Sequence, residues 1–204
     1  MNATYTGSEQ MIAVASRALR DGERVFVGIG QPNLVAMLAK RLHAPRLVMI
    51  YESGAVGAQP ARLPFSIGDP CLVTGVTSLQ SMMDVFAFFL QGGLVDTGLL
   101  GTAQIDKYAN LNSTVIGDYH KPRVRLAGSG GACDIATLAS RVIVITPHER
   151  QRFPERVDFC TTPGFLSGRG ERERCDESRT RGIFDWVFRR VLQRQVREQG
   201  DRWR

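Results

Sequence analysis

The short run Leu47-Val-Met-Ile-Tyr-Glu-Ser-Gly54 sends a carboxylate, Glu52, out of an apolar stretch and straight into a small-residue turn. An acid in that position can cap a helix, pair with a base or do chemistry. If the apolar stretch is a strand of an open α/β sheet, Glu52 sits at its carboxyl end, where ligands of such sheets bind. There a glutamate can act as a general base or as a covalent nucleophile. With Ser53 and Gly54 following it, nothing bulky covers it. Residue pattern alone leaves cap, ion pair and catalyst all open.

Two glycine turns are the other candidates. Gly28-Ile-Gly30 and Gly128-Ser-Gly-Gly131 each lie between a predicted strand and a predicted helix. Backbone N–H groups in such turns can face an anion, helped by the helix N-terminus. They can equally serve only to pack strand against helix. Neither turn is a full dinucleotide or phosphate-loop fingerprint. Ser129 lacks the spacing of a hydrolase nucleophile elbow and reads as a turn residue. His43 reads as a helix-end cap, His120 as a polar-loop residue within reach of a ligand, and His148 as a residue just past a strand. Asp118 and Asp134 read as cap or turn formers, Asp134 being favoured in a first helical turn by the dipole.

The elements that must position these residues follow from periodicity. Gln10 to Leu19 has helical spacing, and Gly22 is a plausible stop. Arg24 to Gly28 is a strand, Asn33 to Leu42 a helix with Pro32 near its first turn, and Leu47 to Tyr51 a second strand. That β-turn-α-β order implies an α/β fold with an open, mostly parallel sheet and flanking helices. Gly54 to Pro70 reads as loop, Ser81 to Leu90 as a helix, Leu94 to Ile105 as extended and Val115-Ile116 as a short apolar patch. Val124 to Ala127, Ala132 to Ser140 and Arg141 to Thr146 read as a second strand, helix and strand around the later glycine turn.

Bulk composition narrows the class. The chain has 204 residues, 43% of them hydrophobic, enough for one sizeable core. No long apolar run suggests a membrane span, and the polar N-terminus lacks a secretory core. The four cysteines, Cys71, Cys133, Cys160 and Cys175, share no metal-ligand spacing, so no metal site is expected and reduced thiols in the cytoplasm are. Of the net charge of +6, +4 lies from Gly168 onward, where eleven arginines meet seven acids. Without a nucleic-acid motif this reads as a solvated surface, with no nucleic-acid or membrane partner. One domain is expected over residues 1–168, followed by an arginine-rich tail over 169–204 whose Ile183 to Val196 stretch reads as an amphipathic helix.

Six ordered segments carry a resemblance. Tyr51-Glu-Ser-Gly54, Gly101-Thr-Ala-Gln-Ile-Asp-Lys-Tyr108, Asn110-Leu-Asn-Ser-Thr114, Ile116-Gly-Asp-Tyr-His120, Gly128-Ser-Gly-Gly-Ala-Cys-Asp134 and Thr161-Thr-Pro-Gly164 together resemble the β subunit of the glutaconate CoA-transferase type, in the class I CoA-transferase family. The likeness runs from about residue 8 to about residue 174. The tail departs from it, since family members continue there into a strand-rich segment, and so inherits nothing.

The resemblance implies that Glu52 is the catalytic nucleophile. It also implies that Gly128, Gly130 and Gly131 lie by the active site. With Gly28, Gly30 and Gly54 they form the expected oxyanion, substrate or CoA-binding set. Each N–H donor to a tetrahedral oxyanion is typically worth roughly 3–4 kcal/mol. The implied activity moves CoA between an acyl-CoA and a carboxylic acid, with a dicarboxylic acid as one option, through a glutamyl-CoA thioester. The implied partner is an α subunit in a hetero-oligomer. Coenzyme A enters as substrate thioester and no cofactor is required. An acyl-CoA hydrolase, a decarboxylase on the same fold, or a non-catalytic CoA- or partner-binding subunit are the alternatives.

Overall fold

A computed structural model describes residues 5–168 and Glu171. The remainder of the tail, including the expected helix from Ile183 to Val196, lies outside the described residues.

The chain opens with α1 (Gly7–Ser16), started by a capping box in which Thr6 and Glu9 satisfy each other's backbone N–H groups. This start signal, Thr-x-x-Glu, places the helix earlier than its apolar periodicity suggests. β1 (Arg24–Val27), α2 (Gln31–Leu42) and β2 (Val48–Ile50) follow as expected. β1 pairs in parallel with β2 on one side and with β5 (Thr97–Gly101) on the other. β5 in turn pairs in parallel with β10 (Arg141–Ile145). These four strands therefore share one carboxyl edge, and the protein has the mostly parallel α/β sheet that the sequence implies.

Beyond β2 the sheet reverses. β3 (Ala55–Val56) and β4 (Ser78–Leu79) add antiparallel strands, giving the order β10-β5-β1-β2-β3-β4. The Gly54 to Pro70 stretch is thus loop only after Val56. Leu94 to Ile105 is not one extended element: it breaks after β5, and β6 (Gln104–Ile105) pairs instead with β7 (Leu111–Asn112). β8 (Val115–Gly117) and β9 (Pro122–Arg125) make a separate two-stranded ribbon. The strand preceding the second glycine turn therefore lies outside the main sheet. That turn is not the start of a β-α-β crossover like the first.

Alternation along the buried strands divides the core in two. Val25 and Val27 of β1 face a cluster with Val35, Ala36 and Ala39 of α2, against which Met11 and Ile12 of α1 pack. Phe26 faces the other way, into a cluster with Val85, Leu90, Ile135 and Ala136. This second layer comprises α4 (Ala132–Leu138) and α3, a single turn over Met82–Asp84 that continues as a π-helix over Val85–Leu90. The π segment is where the expected helix from Ser81 to Leu90 departs from regular geometry. Fully burying a side chain such as Phe26 contributes about 1.5–3 kcal/mol, so both layers hold the sheet firmly.

Candidate active site

β2 ends in a tight turn in which Gly54 N–H donates to Tyr51 O at 3.0 Å. Glu52 and Ser53 occupy its two central positions. Gly54 is required here: its φ is +100°, and a Cβ would collide with the backbone carbonyl of Gln80. Gln80 N–H also donates to Gly54 O at 2.9 Å, which ties the turn to the β4 end. From below, the fully buried Tyr51 hydroxyl donates to Asn33 Oδ1 at 2.5 Å. Burial pushes the Tyr51 hydroxyl's pKa far up, so it stays a neutral donor.

The Glu52 side chain is therefore delivered from a braced turn, half-buried, at the carboxyl edge of the parallel strands. It opens a β-turn between two strands and caps no helix. No base among the described residues perturbs it. Desolvation raises its pKa above the ordinary glutamate value, and a hydrogen bond from Gly131 N–H works in the opposite direction. Of the three readings of this acid, nothing among the described residues supports the cap or the ion pair.

Gly131 touches the carboxylate directly. A Cβ there would stand 2.5 Å from Glu52 Oε1 and 2.5 Å from Phe86 Cζ. The turn that carries it is fastened from behind. Gly128 N–H donates to Ser113 O at 2.9 Å, and Ser113 Oγ donates to Gly128 O at 2.8 Å. Ser113 N–H is in turn held by Thr161 Oγ1 at 3.0 Å. Gly128 and Gly130 have φ of +94° and +48°, and no hydrogen bond among the described residues engages the Gly130 N–H.

The first glycine turn is built differently. Gly28 N–H donates to Leu99 O at 3.1 Å and so belongs to the sheet. Gly30 caps α2 with φ of +86°. Thus the structure brings Glu52 and Gly131 together, with Gly128 and Gly130 in the same loop and Gly54 in the Glu52 turn. The N–H groups of Gly28, Gly54 and Gly128 are already engaged within the fold.

The remaining candidates fall elsewhere. His43 ends α2, with Nε2 3.2 Å from Leu19 O. His120 is exposed and packs edge-on against Tyr119, and His148 packs against Phe153. Asp118 accepts from the backbone N–H groups of His120 and Lys121 as a turn former. Asp134 lies exposed in the first turn of α4, and Ser129 O accepts from Ala132 N–H. Cys71, Cys133 and Cys160 are free thiols. Among the described residues no acid, histidine or cysteine cluster could hold a metal, and no helix is long and apolar enough to cross a membrane. Residue pattern missed Phe86 and Ser113, one an ordinary member of an apolar helix and the other a short polar loop residue.

The coenzyme A transferase family model matches residues 8–183. The chain is 43% identical over 171 residues to the β subunit of 3-oxoadipate CoA-transferase from Pseudomonas knackmussii, covering 84% of this chain and 66% of that one. It is 38% identical over 174 residues to the β subunit of glutaconate CoA-transferase from Acidaminococcus fermentans, covering 83% and 65%. It therefore spans just under two thirds of the length of these relatives. The crystal structure of glutaconate coenzyme A-transferase from Acidaminococcus fermentans superposes with a TM-score of 0.79 at 35% identity, covering 88% of this chain and 72% of that one. The decarboxylase AibA/AibB superposes with 0.71 at 25% identity, covering 79% and 68%. By family model, sequence and fold together, this chain belongs to the coenzyme A transferase family.

Proposed function

We propose that this chain is the β subunit of a heteromeric CoA-transferase that moves CoA between an acyl-CoA and a carboxylic acid through a covalent thioester on Glu52. The observation that carries the reading is the desolvated Glu52 carboxylate at the sheet's carboxyl edge, in contact with the Gly131 N–H. An α subunit completes the enzyme, as the naming of both relatives as one subunit of a larger transferase suggests. Both names also refer to dicarboxylic acids, which favours a dicarboxylic acid as donor or acceptor. We place the enzyme in the cytoplasm, where its thiols stay reduced.

The chemistry follows from the site. A Glu52 oxygen attacks the acyl-CoA carbonyl, the C–S bond breaks, and CoA thiolate leaves an acyl-glutamyl anhydride. The thiolate then attacks the glutamyl carbonyl, releasing the first carboxylate and leaving an enzyme-CoA thioester. The acceptor carboxylate repeats both steps in reverse and regenerates Glu52. Burial strips water from an otherwise weak nucleophile. The Gly131 N–H touches the reacting carboxylate, and the Gly130 N–H in the same loop is a candidate second donor to the tetrahedral oxyanions. The scheme consumes no water and asks for no metal or redox group.

The test uses the full chain co-expressed with its α partner. Incubation with acyl-CoA alone should leave a thioester on Glu52 that borohydride reduces and mass spectrometry locates. Glu52→Ala should abolish both the adduct and CoA transfer. Undiminished transfer by Glu52→Ala would falsify the assignment. Ping-pong kinetics distinguish transfer from a hydrolase, and carbon dioxide release would mark a decarboxylase.

A further inference from the structure

Glu52 has an aromatic neighbour that the transfer scheme does not use. Phe86 stands early in the π-helical segment Val85–Leu90. A hydrogen bond of five-residue span closes that geometry at its end, from Gln91 N–H to Phe86 O at 2.9 Å, and a second, from Leu94 N–H to Phe89 O at 2.8 Å, closes the turn that follows. Single-turn π geometry is uncommon and occurs frequently at functional sites. Here it places the Phe86 ring edge-on to Phe26, with ring centroids 5.5 Å apart and planes at 62°. Phe26 is fully buried on β1, so one side of the ring packs on the sheet. Its Cζ and Cε1 atoms reach the point that a Cβ of residue 131 would occupy, as does Glu52 Oε1. Glycine at 131 thus leaves just enough room for an aromatic edge and a carboxylate oxygen to crowd the same small volume.

We propose that Phe86 is the side chain that shields Glu52 from water and sets how the glutamyl thioester divides between transfer and hydrolysis. This rests on the covalent function above. Hydrolysis needs one water: its oxygen bonds to the glutamyl carbonyl carbon, the C–S bond breaks, one proton goes to the CoA thiolate and one to solvent, and Glu52 returns as carboxylate. An aromatic edge beside the carbonyl denies that water a place without offering a polar partner. The acceptor acid can still approach if it enters from the side of the exposed Ser53.

The test measures CoA release to water and CoA transfer to a saturating acceptor in the same heteromeric enzyme. Phe86→Ala should raise the hydrolysis-to-transfer ratio by about tenfold or more, and Phe86→Leu, which restores an apolar wall, should return it to within about twofold of the parent. Loss of both rates by one common factor, with an unchanged ratio, overturns the role of Phe86. If Phe86→Ala does not fold, Phe86→Val reads the same ratio at a smaller loss of volume. The two readings fail differently. A parent enzyme that forms no Glu52 adduct overturns the function and this proposal together, whereas an adduct with an unmoved ratio overturns only the shielding.

Discussion

The two glycine turns look interchangeable in sequence and are not. Gly28 and Gly131 both sit where a side chain would collide, but with different things. At Gly28 a Cβ would stand 2.9 Å from the backbone carbonyl of Leu99, on the adjoining central strand. At Gly131 the obstacles are the far ends of two side chains, Glu52 and Phe86. Backbone in a paired strand cannot yield without moving the sheet, whereas side-chain tips can swing aside. The first glycine is therefore needed for the fold, and the second for the position of one carboxylate.

Substitutions can break that contrast. The largest effect is expected from Gly131→Ala. The fold accommodates it by displacing Glu52 and Phe86, so transfer should fall by about 100-fold while the melting temperature stays close to the parent's. Steady-state kinetics beside a thermal melt check this, and a large drop in melting temperature would erase the distinction. Gly28→Ala should do the reverse. Overpacking against strand backbone should cost about 1–3 kcal/mol, or roughly 2–4 °C of melting temperature per kcal/mol for a chain of this size. Activity per folded molecule should be largely kept.

A smaller change sharpens the picture of the second turn. Ser113→Ala removes the hydrogen bond that Ser113 Oγ donates to Gly128 O, worth about 1 kcal/mol. The loss should appear in both stability and transfer rate, because this bond fastens the loop that carries Gly131. A pure stability effect would detach the clamp from the site.

The pH response should be the subtlest signal, and its sign differs between the two edges of the sheet. The proposed nucleophilic role requires Glu52 to be ionised, so the acidic limb of transfer should lie above the ordinary glutamate value of 4.5. Its raised pKa also means that its contribution to stability is full below the unfolded value and is lost as pH rises through the folded one. At the opposite edge, Arg24 holds the Asp96 carboxyl below its ordinary value. That contribution is present above the unfolded value and is lost as pH falls through the depressed one. pH-dependent melts of the parent and of Glu52→Gln separate the two.

Much of the fold was legible because β1, β2 and β10 are apolar runs bounded by glycine, proline or charge, and α2 is plainly periodic. The position of Glu52 at a strand end was equally plain. What local pattern could not show was non-local. Val124 gives no hint that β9 leaves the main sheet, since its partner β8 and the Asn112-Ser-Thr114 anchors are chosen by tertiary packing. The π geometry at Phe86 is invisible in an ordinary apolar sequence. The contact between Gly131 and Glu52 joins residues from distant parts of the chain, and only the resemblance of six ordered motifs pointed to it.

An ion pair joins Arg141, at the start of β10, to Glu23, just ahead of β1, and bears on how the chain is made. Its partners are 118 residues apart in sequence, with Nη2 2.9 Å from both Glu23 oxygens. Strand β5 lies between β1 and β10, so one of its neighbours arrives early in synthesis and the other late. Until the ribosome has released residue 145, β5 presents an unpaired parallel edge. Pairings of such long reach close slowly, and open strand edges invite association with other chains. During that interval the nascent chain is most exposed to aggregation, and a chaperone or an early-docking partner would protect it most.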